Sequence, residues 1–401
     1  MAQLVEKISK AEAVKQQSRQ LRGHLVRDLA DTATPFDGEG YSLLKFHGIY
    51  QGYDRDSATE LKQAGASKHY QFMVRVRIPG GRLKAAQYLA LDKIADSYAN
   101  GSLRVTTRQS IQFHGVVKSG LKAAMGEINA GLMTTLAACG DVVRTVTTSP
   151  APLRNKLYDR LEADARLLGS ALLPTSGAYK EIWVDGAQWN DDRGSEEQEA
   201  EETPDPLYGD RYLPRKFKIG FAVPEDNTID VLTNDLGIVA LWENGELTGY
   251  NFFLGGGHGV THNKPETYPR MASAVCFVER DDLVEAAKAV VRLHRDWGDR
   301  GNRRHARLKY VIAERGEDWA RERLSEDLGK TLEPARPMAR FQVPDHLGWH
   351  EQGDGKLYFG LPISSGRIAD DARTKLRTAL REIVADYGCD PILMPSQDII
   401  L

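Results

Sequence analysis

The feature that most constrains the fold is an internal repeat near the two ends of the chain. Residues 81–83 (Gly-Arg-Leu) precede a helical pattern over 84–98, and residues 366–368 (Gly-Arg-Ile) precede a second one over 370–386. Each helix is followed by a segment of strand character, and Gln109 in the first copy matches Gln397 in the second. The spacing predicts two copies of one α+β unit related by a pseudo-twofold axis.

The run over 103–115 alternates between apolar and polar residues, which predicts one strand with a polar face. That face carries cationic and hydrogen-bonding side chains at even positions, namely Arg104, Thr106, Arg108, Gln112 and His114. Unpaired arginines on a half-apolar strand are costly to desolvate. They therefore favour a bound anion with several carboxylates, which arginine recognises bidentately. The alternative is an exposed polar edge, and the strand alone leaves both open.

The second copy lacks this polar face. Its last segment, predicted as one strand over 391–401, has Ile392, Met394 and Ser396 where the first copy has Arg104, Thr106 and Arg108. One copy is therefore expected to bind the anion while the other supports it.

Composition limits the class of protein. The chain has 401 residues and a net charge of −3, which suggests two or three domains and gives no global argument for nucleic-acid binding. No apolar run is long enough for a membrane span. Its three cysteines, Cys139, Cys276 and Cys389, are widely separated, which argues against a disulfide framework and favours a reducing, cytoplasmic location.

Motifs along nearly the whole chain match one family in a fixed order. They lie at residues 44–51, 72–81, 103–115, 138–144, 212–218, 255–257, 303–310 and 348–357. Single motifs match by chance, but this ordered set does not. The chain resembles the siroheme-dependent sulfite and nitrite reductases, and residues 348–357 are similar to the ferredoxin-dependent sulfite reductase branch.

The resemblance assigns the substrate site to four cations. Arg75, Arg144, Lys216 and Lys218 match the residues that surround sulfite on the distal face of siroheme. Cations at that position stabilise a small dianion and can deliver protons as oxygen leaves as water. The lysine at 218 favours sulfite, because nitrite reductases tend to have asparagine there.

The resemblance also assigns residues to siroheme, which carries eight carboxylates. The expected contacts are Arg104, Thr106, Arg108, Gln112, His114, Gly256, Gly257, Arg303, Arg307 and Lys309. The basic stretch from 303 to 309 has a second interpretation as a solvated helix face, and a glycine triplet is commonly a turn. No protein metal ligand is expected: a [4Fe–4S] cluster needs four cysteine thiolates, and this chain has three cysteines.

The predicted fold class is α+β, with ferredoxin-like half-domain repeats in pseudo-twofold relation and a mixed α/β siroheme-binding domain. We expect an N-terminal helical arm and loop at 1–60, the first half-domain at 61–140, the siroheme and substrate domain at 141–340 and the second half-domain at 341–401. The resemblance places the cluster cysteines in a further C-terminal region, so we expect the chain to be C-terminally truncated.

The expected function is assimilatory sulfite reduction, with six electrons from ferredoxin reaching siroheme through a [4Fe–4S] cluster. The expected partners are ferredoxin and sulfite, with neither nucleic acid nor membrane. Two alternatives remain open: a non-catalytic tetrapyrrole- or anion-binding module, and a nitrite reductase of the same family.

Overall fold

The first half-domain is an antiparallel sheet backed by helices. The structure is a computed structural model that describes residues 8–31, 35–184 and 203–401. The first sheet has the order β1-β2-β4-β3-β11, and its strands are β1 Ile49–Tyr53, β2 Tyr70–Arg75, β3 Leu103–Val105, β4 Ile111–Val116 and β11 Arg367–Ile368. The helices of this part are α1 Lys10–Gln16, α2 Leu25–Ala30, α3 Gly38–Leu44, α4 Ala58–Gln63, α5 Ala85–Tyr98 and α6 Lys118–Ala130.

The second half-domain repeats this arrangement. Its sheet has the order β12-β13-β10-β9, with β9 Gly348–Glu351, β10 Leu357–Leu361, β12 Ile392–Leu393 and β13 Ile399–Ile400. The order of equivalent strands is the same as in the first sheet. Helix α12, Leu376–Tyr387, packs against α5, where Arg377 donates to the buried carboxylate of Asp92 at 2.7 Å. The predicted fold class with its two half-domain repeats is confirmed.

Between the two half-domains along the chain, the described residues within 156–328 form a third sheet with helices packed around it. Its order is β5-β6-β7-β8, from Ile219–Ala222, Leu236–Glu243, Glu246–Leu254 and Ser273–Val278, and only β5 and β6 are parallel. The helices are α7 Lys156–Ala171, α8 Ala178–Trp183, α9 Leu283–Trp297, α10 Leu308–Arg315 and α11 Glu317–Leu328. One apolar core runs through this sheet and the first half-domain.

The prediction of a single strand over 103–115 is wrong. The chain forms a hairpin, β3 and β4, whose turn places Gln109 at a φ of 50°. Arg104 lies directly opposite Gln112, so the even-numbered side chains of both strands still share one face. The predicted strand over 391–401 is likewise a hairpin, β12 and β13.

One helix position also differs from the prediction. The helix expected from 370 begins at Leu376. Asp370 accepts from the backbone N–H of Arg377 at 2.9 Å, so the residues between form a turn that leads into the helix. Within the described residues no helix is both long and apolar enough to cross a membrane.

Candidate anion and siroheme site

Two extended segments bring three of the four predicted substrate cations together. Residues 142–147 run parallel to 217–220, with the N–H of Arg144 donating to Phe217 O at 2.9 Å. Phe217 is fully buried, so the alternating Lys216 and Lys218 point to the opposite, half-exposed face beside Arg144. Arg144, Lys216 and Lys218 thus come together from two neighbouring segments.

Arg75 completes this cationic cluster, which we define as Arg75, Arg144, Lys216 and Lys218. Arg75 ends β2, and its Nη1 donates to Cys139 Sγ at 2.9 Å. The Arg144 guanidinium donates to Gly140 O at 3.2 Å through Nη2. Both arginines are thus oriented by the turn at 138–140 and not by a carboxylate.

The two lysines have perturbed acidities. Burial, together with Arg144, Arg307 and Lys218, lowers the pKa of Lys216 from 10.5 to about 7. Burial and Arg108 lower the pKa of Lys218 to about 8, against the opposing effect of Asp235. Neither ammonium has a hydrogen-bond or ion-pair partner among the described residues. A cluster of cations without carboxylates is suited to binding an external anion.

The polar face of the β3–β4 hairpin adjoins this cluster. With its amide oriented to satisfy both neighbours, Gln112 accepts from Arg75 Nε at 3.0 Å and donates to His114 Nε2 at 3.2 Å. Burial, then Arg104, Arg75 and Arg367, lowers the pKa of His114. Arg367 on β11 lies opposite Arg104 on β3 in the strand register. Neither guanidinium has a hydrogen-bond or ion-pair partner in the described part of the chain.

Arg108 and Thr106 occupy the turn of the hairpin and have different roles from Arg104. Arg108 donates to Asn234 Oδ1 at 2.6 Å, Thr145 O at 2.5 Å and Ile219 O at 2.7 Å, while its buried Nε has no partner among the described residues. Burial lowers the pKa of Arg108 to about 9. Thr106 Oγ1 accepts from the N–H of Arg108 at 3.3 Å. Arg108 therefore ties the hairpin to the third sheet, and only its Nε is left for a ligand.

Two further residues that were predicted to bind siroheme interact with protein groups instead. Arg307 is buried and forms a bidentate pair with Asp235, with both N···O distances 2.9 Å. Lys309 is buried as well and donates to Gly257 O at 3.2 Å, Gly259 O at 2.9 Å and Tyr268 O. Their contact with siroheme stays a prediction that these interactions do not support. The alternative of a solvated helix face is wrong for both residues, since neither is exposed.

The glycine triplet is explained by packing within the protein. A Cβ on Gly256 would collide with Leu232 O and lie 2.6 Å from Asn234 O, and one on Gly257 would lie 2.9 Å from Arg307 Nη2. The missing side chains let the 255–257 backbone approach the 232–235 loop and Arg307. A contact with the macrocycle is not needed to account for these glycines.

Arg303 forms a bidentate pair with Asp141 at 2.8 and 3.0 Å. Sequence reasoning missed four neighbours of the site: Tyr50, Asp141, Arg215 and Arg367. Tyr50 lies against Arg144 and Arg75, although burial raises its pKa overall. Arg215 and Tyr50 stand inside the matched motifs, so their position beside predicted cations could have indicated them.

Comparisons with known proteins decide the family. Residues 64–131 match the nitrite/sulfite reductase ferredoxin-like half domain, and residues 163–332 match the nitrite and sulphite reductase 4Fe-4S domain. The sulfite reductase [NADPH] hemoprotein beta-component of Xanthomonas euvesicatoria is 45% identical over 97% of this chain and 67% of its own length. The chain belongs to the nitrite and sulfite reductase family.

Other relatives in this reductase family agree. The sulfite reductase [ferredoxin] of Synechococcus elongatus is 44% identical over 99% of this chain and 65% of its own length. The fold is similar to that of Mycobacterium tuberculosis NirA, with a TM-score of 0.75 and 22% identity over 98% of this chain and 66% of that one. The chain spans about two thirds of the length of these relatives.

The residues present fit siroheme, one of the family's two cofactors. Within the described part of the chain, the guanidiniums of Arg104 and Arg367 and the Nε of Arg108 have no partner, and these donors are suited to its carboxylates. They do not fit a [4Fe–4S] cluster. Cys139 and Cys276 are buried, burial raises the pKa of Cys276 to about 12, and no group of metal-ligating side chains occurs among the described residues.

Proposed function

We propose that this chain provides the substrate pocket and the siroheme cradle of an assimilatory sulfite reductase, which reduces sulfite to sulfide with six electrons. The observation that carries the proposal is the convergence of four cations, none of which pairs with a carboxylate among the described residues, namely Arg75, Arg144, Lys216 and Lys218. Siroheme would supply the redox centre of the reaction when bound. The thiolates of the accompanying [4Fe–4S] cluster are not supplied by this chain.

Each cation has a distinct task in this proposal. Arg75 and Arg144 are held by the Cys139 sulfur and the Gly140 carbonyl and not by a carboxylate of the described residues, so their charge is free to bind the substrate oxygens. Lys216 and Lys218 lose their protons near neutral pH, which allows their Nζ atoms to pass protons to departing oxygen and be reprotonated. A donor with a pKa near the working pH is the efficient one for such transfer.

Sulfite is favoured over nitrite as the substrate. Sulfite in its dianionic form carries one more charge than nitrite, and Lys218 adds a cation beside Arg108 and Arg307 where an asparagine would add none. For the electron donor we propose ferredoxin, since residues 348–357 resemble the ferredoxin-dependent branch. Curated relatives are named for ferredoxin and for NADPH alike.

The proposal is tested by anion binding to the 401-residue chain reconstituted with siroheme. Sulfite and nitrite are titrated separately and followed by the visible absorption of the macrocycle. Lys218→Asn should weaken sulfite binding by about 10- to 150-fold, the equivalent of one charge-assisted contact of about 1.5–3 kcal/mol, and should change nitrite binding much less.

Lys62→Asn provides the matched control, because Lys62 is exposed on α4. It should leave both titrations unchanged. Equal weakening of sulfite and nitrite by Lys218→Asn would show that Lys218 is not selective. Failure of the chain to bind siroheme at all would count against the cradle.

A further inference from the structure

A cavity lined by cations lies beside the cationic cluster. This side pocket has a volume of about 450 Å³ and is formed by helix α1, residues 42–46, the 140–144 segment and Arg303. Six cations line it, namely Lys15, Lys45, Arg144, Arg215, Lys216 and Arg303. Asp141 is the only carboxylate among its lining residues.

Asp141 already forms ion pairs with three of these cations. It pairs with Arg303 at 2.8 and 3.0 Å, and lies 3.7 Å from Lys15 and 4.0 Å from Arg215. Burial alone would raise the pKa of Asp141, but Lys15 and Arg303 hold it below its usual value, so the carboxylate stays charged. Behind the lining, the buried Glu12 pairs with Lys15 and with Arg300. Two carboxylates still cannot balance these cations, so the pocket keeps a positive excess.

Lys45 and Arg215 carry much of that excess. Lys45 Nζ lies 3.8 Å from the centre of the Tyr41 ring, and no carboxylate within the described residues pairs with it. Burial, followed by Arg303, lowers the pKa of Lys45, and burial and Arg303 also lower the pKa of Arg215. Both groups would be stabilised by an anion placed between them.

The side pocket is continuous with the cationic cluster. Arg144 and Lys216 belong to both, and Tyr50 lines the boundary between them. An anion leaving the side pocket therefore meets the cluster without crossing a negatively charged wall.

We propose that the side pocket is a holding site for a small oxyanion, anchored by Lys45 and Arg215, from which the anion passes to the cationic cluster. The inference rests on the proposed function only for the identity of the anion, which would be sulfite. Asp141 limits the affinity, so that the anion is held weakly enough to move on. Positive charge along the approach also raises the local anion concentration.

The test uses sulfate and selenate as probes and the 401-residue chain without siroheme, so its outcome does not depend on cofactor binding. Calorimetric titration with sulfate at low ionic strength should show two sites. The double variant Lys45→Gln/Arg215→Gln should lose one of them, with at least a tenfold fall in its affinity. Lys218→Gln should weaken the other site only. In crystals soaked with selenate, an anomalous peak should lie between Lys45 and Arg215.

Three comparisons make the result decisive. Lys45→Arg keeps the charge and should retain both sites, and Lys62→Gln should have no effect. Circular dichroism and urea midpoints should change little in these variants, because Lys45 pairs with no carboxylate among the described residues and Arg215 has only the long contact of 4.0 Å to Asp141. A single site in the wild-type chain, equal weakening of both sites by the double variant, or the absence of the selenate peak would overturn the proposal.

Discussion

Gln109 and Gln397 make the same hydrogen bond in opposite directions across the pseudo-twofold axis. Gln109 Nε2 donates to Leu393 O at 3.0 Å, and Gln397 Nε2 donates to Val105 O at 3.0 Å. Both residues have positive φ, 50° and 75°, and each lies against a glycine of the repeat, Gly81 or Gly366. Each half-domain thus closes the hairpin of the other.

The two glutamines should differ in their contribution to stability. Gln109 is fully buried and also accepts from the N–H of Thr148 at 3.0 Å, whereas Gln397 is half-buried. Gln109→Ala leaves several buried groups unpaired and should lower the free energy of unfolding by about 3 kcal/mol, against about 1 kcal/mol for Gln397→Ala. Urea unfolding measures both, with exposed Gln63→Ala on α4 as the control. Equal losses would mean that the two copies are equally buried in solution.

Sulfate affinity should fall as the pH rises through neutrality. In the free protein Lys216 and Lys218 have pKa values of about 7 and about 8, and a bound anion raises both. Below pH 7 both are charged and affinity is constant; above it, binding must take up protons and weakens. Sulfate is the suitable probe because it stays a dianion throughout. Calorimetry from pH 6 to 9 checks this.

Lys216→Arg should move the onset of this fall from about pH 7 to about pH 8, since arginine stays charged. In the unmutated chain, the lowered pKa values of Lys216 and Lys218 also affect stability. The unfolded chain binds more protons than the folded one between pH 7 and the ordinary lysine value of 10.5, so stability should rise with pH there. A flat sulfate profile would contradict the lowered pKa values.

Arg104 and Arg108 should separate cofactor binding from folding. Arg104 has no partner in the described residues, so Arg104→Gln should leave the urea midpoint unchanged and reduce siroheme uptake. Arg108 bonds Asn234, Thr145 O and Ile219 O, so Arg108→Gln should cost about 2–4 kcal/mol of stability. Visible absorption after reconstitution and urea unfolding give the two readouts. Normal siroheme uptake by Arg104→Gln would show that this strand face has another use.

Arg307 should act through the fold and not through the cofactor. Its bidentate pair with buried Asp235 also fixes the N–H of Lys218, which donates to Asp235 at 2.9 Å. Arg307→Met leaves an uncompensated buried carboxylate and should lower stability by about 3–5 kcal/mol. Adding Asp235→Asn should recover part of that loss. If the single variant is as stable as the wild type but cannot bind siroheme, Arg307 is a cofactor ligand after all.

The alternation of polar and apolar residues predicted which side chains share the face of the site, but it did not predict that the chain turns back on itself there. The alternation of odd and even positions over 103–115 placed Arg104, Gln112 and His114 on one face correctly, although the segment is a hairpin. Even-numbered residues still share one face in a hairpin that sets Arg104 opposite Gln112. The alternation alone therefore cannot distinguish a hairpin from one strand. The positive φ of Gln109 that makes the turn is not typical of glutamine, and it depends on contacts with the other half-domain.

The sequence by itself determined the repeat, the α+β class and the family, because these follow from local patterns and motif order. It also singled out the four cations that the structure brings together. Only the tertiary structure decided how the remaining cations are used. Arg104 and Arg367 have no partner among the residues that the structure describes, whereas Arg307 pairs with Asp235 and Lys309 donates to backbone carbonyls. Whether a charge is free depends on partners distant in sequence, and a linear pattern does not specify those partners.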